Sequence, residues 1–462
     1  MKLTFIKMIF LFCIITNDCI ANILKENKFC IITNDSLANI LKENKFCIIT
    51  NDSLANILKE NKTYVNKITA DGKYPLLLPF KENDAFNIQQ LDQLVENLKT
   101  NLSEPQVMVI PSNKENYYDI IIKTERKKML DASITLDNNN YKDYGRENLY
   151  LSLGRDHVFS GGDYFSIYMK ERLTKNRKEH RESLYSVSYA IPIRNWKVSY
   201  SFSHEKTKNK ILSSKYENRK LENIHNIEVS KVLYRNASKK IDFFFGFKLK
   251  DTKNYFNEVK LEVSSKRHNK IFLGSRMYYY FNNAVLYLEP SIERGVRFLG
   301  GEGDKNNKQV NFPFDKEFTK YNVNIYLNKS FFPTNYGYFN YTANISTSYT
   351  SDHLLDANKF EMGGLDSVRG FKESTIKGDK GIYMSNTFSF EREGISPFIG
   401  FDFGLSRDYY RKESDTLIGA ATGIKFKKRN IVASVTFSKA LKYAQDMPRE
   451  NPPIYFKVSY SF

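Results

Sequence analysis

The chain has 462 residues and a formal charge of +18, with 70 lysines and arginines against 52 aspartates and glutamates. Aromatic residues make up 15% of it, yet the mean hydropathy is -0.50, so apolar residues are spread among polar ones and the long apolar runs of a large soluble enzyme core are missing. The excess basic charge collects in short clusters such as Arg172–Arg181 and Lys425–Asn430, which read as solvated strand ends. No zinc-finger spacing or recognition-helix pattern points to nucleic acid.

Residues 1–21 read as an export signal. Lys2 and Lys7 supply the positive flank, Met8–Ile15 the apolar stretch, and Cys19-Ile20-Ala21 a small-x-small cleavage site. That stretch is too short to span a bilayer as a helix. The four cysteines, Cys13, Cys19, Cys30 and Cys47, form no C-x-x-C pair, and none follows Cys47, which suits an oxidising compartment.

Residues 22–62 carry a literal repeat, with near-identical units at Phe12–Lys28, Phe29–Lys45 and Phe46–Lys62. Each unit reads as a short strand, a Thr/Asn/Asp cap and a turn or two of helix, and the near-identity points to tandem duplication. Residues 63–127 have the texture of a small α+β domain. Ile88, Leu91, Leu94, Val95 and Leu98 recur at helical spacing behind Asn87 as N-cap, and Gln106–Glu125 reads as two strands around a polar turn.

From residue 128 to 462 the pattern is period two in segments of roughly ten residues, such as "SLYSVSYAI", "KIDFFFGFKLK" and "SPFIGFDFGLS", separated by Asn/Gly/Lys-rich turns. About seventeen such segments can be marked; a single-chain bacterial barrel needs an even number, and sixteen are expected. A soluble sandwich or propeller would carry inward Val, Ile and Leu, whereas here Phe and Tyr gather at strand ends, where headgroup girdles place them. The sequence ends "PIYFKVSYSF", with Ile454, Phe456, Val458, Tyr460 and Phe462 on one face. The fold class expected is an all-β transmembrane barrel of about sixteen antiparallel strands behind a small N-terminal α+β domain. In an exported chain the terminal Phe462 reads as an outer-membrane assembly signal.

Between two of these segments lies "KFEMGGLDSVRGFKES", Lys359–Ser374. Gly363, Gly364 and Gly370 permit the tight turns of a hairpin folded into a barrel lumen. Arg369 would then need an acceptor, because a guanidinium has five donors and cannot shed its charge. Asp402 is the candidate, since alternation places Gly400, Asp402 and Gly404 on the face opposite Ile399, Phe401 and Phe403.

"FEMGGLDSVRGF", followed by "GFDFG" and a terminal Phe, resembles the two-partner secretion transporters, the hemolysin secretion/activation proteins within the wider superfamily of outer-membrane assembly barrels. "PFKENDAFNIQQLDQLVENL" resembles the second polypeptide-transport-associated (POTRA) domain of that family, and "SITLDNNNYKDYG" its first barrel strand. The resemblance implies a pore of the outer membrane of a Gram-negative bacterium, with the POTRA domain in the periplasm, translocating and so activating a secreted partner such as a hemolysin or adhesin. Val368, Arg369, Gly370 and Phe371 would form the tip of the lumen loop and Asp402 its anchor. Asn87, Leu91, Asp92 and Leu94, with the strand Gln106–Ile110, would belong to the partner-binding module. Outer-membrane lipid, lipopolysaccharide and the barrel assembly machinery are further implied partners. An insertase that assembles other barrels is the alternative within the superfamily. The family normally carries two periplasmic domains and a plug helix; here only the second domain is legible, and the repeat stands where the first would be. No cofactor, metal or catalytic residue is expected: the six histidines are scattered, and neither H-E-x-x-H nor G-x-S-x-G occurs.

Overall fold

The computed structural model describes residues 29–32, 46–49 and 63–462, less 73, 75, 100–101, 127–129, 175–177, 212–214, 263, 304–313, 335 and 410–412. The export signal expected at 1–21, and the repeat apart from two four-residue segments, lie outside the described residues.

Those two segments are β1 (Phe29–Ile32) and β2 (Phe46–Ile49), each reading FCII, and they pair in parallel register. They flank a sheet made by β3 (Thr63–Ala70), β4 (Ala85–Phe86), β5 (Ser103–Pro111) and β6 (Tyr117–Arg126), in the order β1-β2-β5-β6-β3-β4. Helix α1 (Ile88–Leu98) starts where Asn87 Oδ1 accepts from the Gln90 N–H at 3.0 Å while Gln90 Oε1 accepts from the Asn87 N–H at 3.0 Å. That reciprocal cap satisfies two otherwise orphaned donors. The apolar stripe of α1 then meets the alternating residues of the sheet, so Leu91, Leu94 and Leu98 are buried with Val107, Ile120 and Ile122. Burying such a stripe is what makes an eleven-residue helix stable, since helices this short are marginal in isolation.

The rest of the chain closes on itself. Its strands are β7 (Asp131–Asp137), β8 (Glu147–Asp156), β9 (Tyr164–Leu173), β10 (His180–Ile193), β11 (Trp196–Ile211), β12 (Tyr216–Asn236), β13 (Lys239–Phe256), the two-residue β14 (Val259–Lys260), β15 (Lys266–Phe281), β16 (Ala284–Val296), β17 (Thr319–Thr334) and β18 (Gly337–Tyr349). After the short β19 (Phe360–Met362) and β20 (Ile376–Gly378) come β21 (Lys380–Glu391), β22 (Ile395–Arg407), β23 (Asp415–Lys428), β24 (Ile431–Lys442) and β25 (Ile454–Ser461). β14 pairs only with β13, beside the turn, and β19 pairs only with β20, so the wall is a closed barrel of sixteen antiparallel strands. Among the described residues no helix is long and apolar enough to cross a membrane.

Alternation sorts the side chains. On β13 Phe245 and Phe247 are exposed to the outside while Asp242, Phe244 and Gly246 turn inward; on β22 Ile399, Phe401 and Phe403 face out while Asp402 is fully buried. The seam is short, with Lys457–Ser461 of β25 against Ser133–Asp137 of β7. The last residue, Phe462, donates its N–H to Ala132 O at 2.9 Å and keeps its ring exposed against Tyr460.

Short turns close the barrel at the end that carries the α+β domain, and α1 lies against them. Asn97 Nδ2 donates to Leu77 O at 2.9 Å and to Arg194 O in the β10–β11 turn at 2.8 Å, and the Arg194 N–H donates to Leu76 O at 2.8 Å. Glu96 takes Lys240 at 2.6 Å and also pairs with Arg235, both on the β12–β13 hairpin. Ser103 Oγ donates to Asp156 at 2.6 Å.

Candidate functional site

The longest described excursion joins β18 to β21 at the rim opposite the α+β domain. Near its base His353, Asp379 and Asp408 gather, with carboxylates already engaged: Asp379 accepts the N–H of Leu354 and of Tyr409, each at 2.6 Å, and Asp408 pairs with Lys359 at 2.6 Å. From this collar the chain enters the bore as the β19–β20 hairpin, with Phe360 opposite Gly378 and Met362 opposite Ile376. The tip turns through Gly363, Gly364 and Gly370, whose φ values of 115°, 107° and 108° lie where residues with a Cβ are strained. Ser367 Oγ accepts from the Gly363 N–H at 2.9 Å, and the Gly364 N–H donates to Val368 O at 3.2 Å.

The tip brings Arg369 to Asp402 on β22. Nε donates to Oδ2 at 2.7 Å and Nη2 to Oδ1 at 2.6 Å, a side-on bidentate pair, and the Arg369 backbone N–H adds a third bond to Oδ2 at 2.9 Å. The remaining guanidinium donors reach Asn386 O at 2.6 Å and Thr387 Oγ1 at 3.0 Å, both on β21. Asp402 is 0% and Arg369 6% exposed, so each charge depends on the other. Removing one member of such a pair leaves an uncompensated buried charge, at a cost of about 3–5 kcal/mol. The flat fork suits two carboxylate oxygens in a way a lysine cannot match.

Apolar packing holds the flanks. Val368 and Phe371 are fully buried in a cluster with Met362, Leu417 and Ala440. The outgoing limb is tied to the loops of the same rim: Glu450 accepts the N–H of Lys372 at 2.8 Å and of Glu373 at 2.9 Å, Glu373 accepts the Lys142 N–H at 2.7 Å, and Tyr455 OH donates to Phe371 O at 3.3 Å. Burial pushes the Glu450 carboxyl above its ordinary value, against the downward pull of the two backbone donors.

The wall beneath the hairpin is made of residues that let a second backbone approach. A Cβ at Gly400 would collide with the Arg369 guanidinium, one at Gly419 with the Arg369 carbonyl, and one at Gly404 with Met362. Neighbouring bore-facing positions are Ser385, Ser389, Thr436 and Ser438. The facing wall, β12 to β17, is chemically different. There Arg276 bridges Glu228 at 2.8 Å and Glu289 at 3.1 Å, Glu222 takes Lys220 and Lys250 at 3.0 Å each, and Glu293 takes Lys270 at 3.2 Å and Lys320 at 3.5 Å.

The structure thus brings Gly363, Gly364, Val368, Arg369, Gly370, Phe371 and Asp402 into one assembly. Asn386, Thr387 and Glu450 belong to it as well, and no motif in the sequence marks them; one is used through its backbone and the others are ordinary strand and loop residues. The residues expected in the partner-binding module all lie in the α+β domain. Leu91 and Leu94 are 0% exposed inside the domain, Asn87 is spent on the helix cap, and α1 turns its polar side to the barrel. Burial raises the Asp92 carboxyl above its usual range, with Arg235 on the barrel pulling the other way. β5, which holds Gln106–Ile110, lies between β2 and β6. Amphipathic spacing marked a buried stripe, and the stripe belongs to the core.

A model of the family described as haemolysin secretion/activation protein ShlB/FhaC/HecB matches residues 116–426. The chain belongs to that family. Among its relatives, outer membrane transporter CdiB of Dickeya dadantii (strain 3937) is 23% identical over 395 residues, 83% of this chain and 70% of that one. Hemolysin transporter protein HpmB of Proteus mirabilis is 22% identical over 408 residues, 84% of this chain and 70% of that one. Of the solved structures, CdiB from Escherichia coli superposes with a TM-score of 0.78 at 21% identity, over 87% of this chain and 77% of that one. BamA from Haemophilus ducreyi, lacking POTRA domains 1-3, superposes with a TM-score of 0.51 at 12% identity, over 87% and 85%. At these identities the superpositions carry the fold. The ShlB/FhaC/HecB protein described here is an outer-membrane β-barrel of a transporter family acting in two-partner secretion.

Proposed function

We propose that the barrel conducts one secreted polypeptide, of the hemolysin or adhesin kind, from periplasm to cell surface, and that the Arg369 hairpin is the element that must be seated, and then displaced, for passage. The observation that carries this reading is the buried Arg369–Asp402 pair, which lodges a removable segment inside the bore. A hairpin fixed by one polar pin and a small apolar cluster is a two-state element, held firmly yet released as a unit. No nucleotide-binding motif or catalytic constellation is needed for such a cycle, and the chain is read as a pore without catalysis.

Under this reading the export signal is residues 1–21 and the repeat region 22–62. The POTRA-like domain at 63–127 stands in the periplasm at the barrel mouth, and the barrel occupies 128–462. The barrel sits in outer-membrane lipid and lipopolysaccharide after insertion by the assembly machinery, for which Phe462 is the terminal signal. The partner would meet the domain at its sheet side and at the cavity between domain and barrel, because the side chains of Leu91 and Leu94 are inside. The test is secretion of a co-expressed exported partner, sought in the reading frame beside this one. With Arg369→Ala, the barrel is expected to insert and to keep its heat-modifiable migration while secretion falls at least about tenfold, the scale of a lost charged pin. Normal secretion by that variant would remove the hairpin from the mechanism.

A further inference from the structure

The wall facing the hairpin does something the translocation reading does not use. Since Phe245 and Phe247 point outward on β13, Lys248 and Lys250 point into the bore. Lys248 stands directly opposite Lys270 on β15, and Lys250 opposite His268. Like charges opposite one another on adjacent strands oppose folding, so their neighbours should compensate. They do so only in part. In the half of the bore away from the α+β domain, carboxylates are shared: Glu222 between Lys220 and Lys250, Glu293 between Lys270 and Lys320, and Glu302, in the rim loop, between Lys266 and Lys316. Among the described residues Lys248 makes no ion pair within 4.0 Å, and Glu293, the carboxylate whose charge reaches it, is already shared by Lys270 and Lys320. Towards the domain the pattern inverts, with Arg276 shared by Glu228 and Glu289. Across the bore, the hairpin wall holds Ser, Thr, Gly and Ala, and the Arg369 charge is neutralised by Asp402.

We infer that this strip, centred on Lys248, is an anion-binding surface that makes the bore prefer anions and that takes up aspartate and glutamate side chains of the polypeptide in transit. The ion preference stands on the wall alone; the acidic character of the passing segment rests on the translocation reading. A basic strip in a narrow channel with low-dielectric walls concentrates counter-ions along its length, and a carboxylate passing Lys248 gives it the partner the wall withholds. Cations spaced along an extended chain's path make separate weak contacts, so the segment is held in register without being trapped.

Two measurements on the full chain test this. In planar bilayers under a KCl gradient, the reversal potential of the wild type should lie on the chloride side. Lys248→Glu should move it towards potassium, and Lys248→Gln should move it by less. In detergent, a fluorescent polyglutamate peptide should bind the wild type several-fold more tightly than Lys248→Glu, with the difference lost in high salt, while polylysine should not bind. Potassium preference in the wild type, a reversal potential unmoved by Lys248→Glu, or equal polyglutamate binding by the two proteins would overturn the inference. If chloride preference holds while Arg369→Ala secretes normally, the hairpin mechanism fails and the strip remains.

Discussion

Along β21 to β24 the bore wall is Ser, Thr, Gly and Ala, whereas along β12 to β17 it is Lys, Glu and Arg, although both halves present apolar side chains to the outside. The first wall is occupied. Gly400, Gly404 and Gly419 remove the bulk that would keep a second backbone away, and what fills the space is the hairpin and its buried pair. The second wall largely holds itself, most of its charges being paired with a neighbour on the same or a nearby strand, Lys248 excepted. The difference teaches that a barrel interior can be a docking surface or a hydrated lining, and that side-chain volume, more than polarity, decides which.

If that contrast is right, the largest effect follows from Asp402→Ala. It leaves Arg369 buried and unpaired, and unfolding of the membrane-embedded barrel in urea should report a loss of about 3–5 kcal/mol, confined to a phase that releases the hairpin. Gly419→Ala comes next: the added Cβ meets the Arg369 carbonyl, and an overpacked contact of this kind costs about 1–3 kcal/mol. The contrasting change on the charged wall, Ser291→Ala, adds no bulk and should cost less than about 0.5 kcal/mol. An equal loss at Ser291 would erase the distinction between the walls. At the domain end, Asn97→Ala removes a donor to Leu77 and Arg194, and limited proteolysis should show the α+β domain freed at a cost of about 1–2 kcal/mol. The smallest effect is expected of Asn87→Ala, about 1 kcal/mol within the domain and none on the hairpin, read by hydrogen exchange of α1.

Much of this was legible in the sequence, for identifiable reasons. Period-two alternation with aromatic ends gave the barrel away, because every strand must show one face to lipid and the other to the bore. Arg369 between Val368 and Gly370 marked the hairpin, since a cation inside such a motif needs a dedicated acceptor. β12 (Tyr216–Asn236) was far less legible: it is 21 residues long, much longer than the ~9–11 of a bilayer crossing, and it is dense in Glu, Lys, Arg and Asn because its inner face belongs to the charged wall. The partner-facing side of α1 was not legible, for a different reason. The spacing of Leu91 and Leu94 reports only that a stripe is apolar, and cannot distinguish a core contact from a docking contact. Asn386 contributes through its carbonyl, which no side-chain pattern encodes.

The pinned hairpin is tested most directly by amide hydrogen exchange over residues 363–375 in the membrane-embedded protein, comparing wild type, Arg369→Ala, Asp402→Ala and the double variant. A seated hairpin predicts slow exchange at Val368–Phe371 in the wild type, fast exchange in either single variant, and a double variant no worse than Asp402→Ala alone, the signature of two residues acting as one unit. Fast exchange in the wild type, or losses that simply add in the double variant, would contradict it.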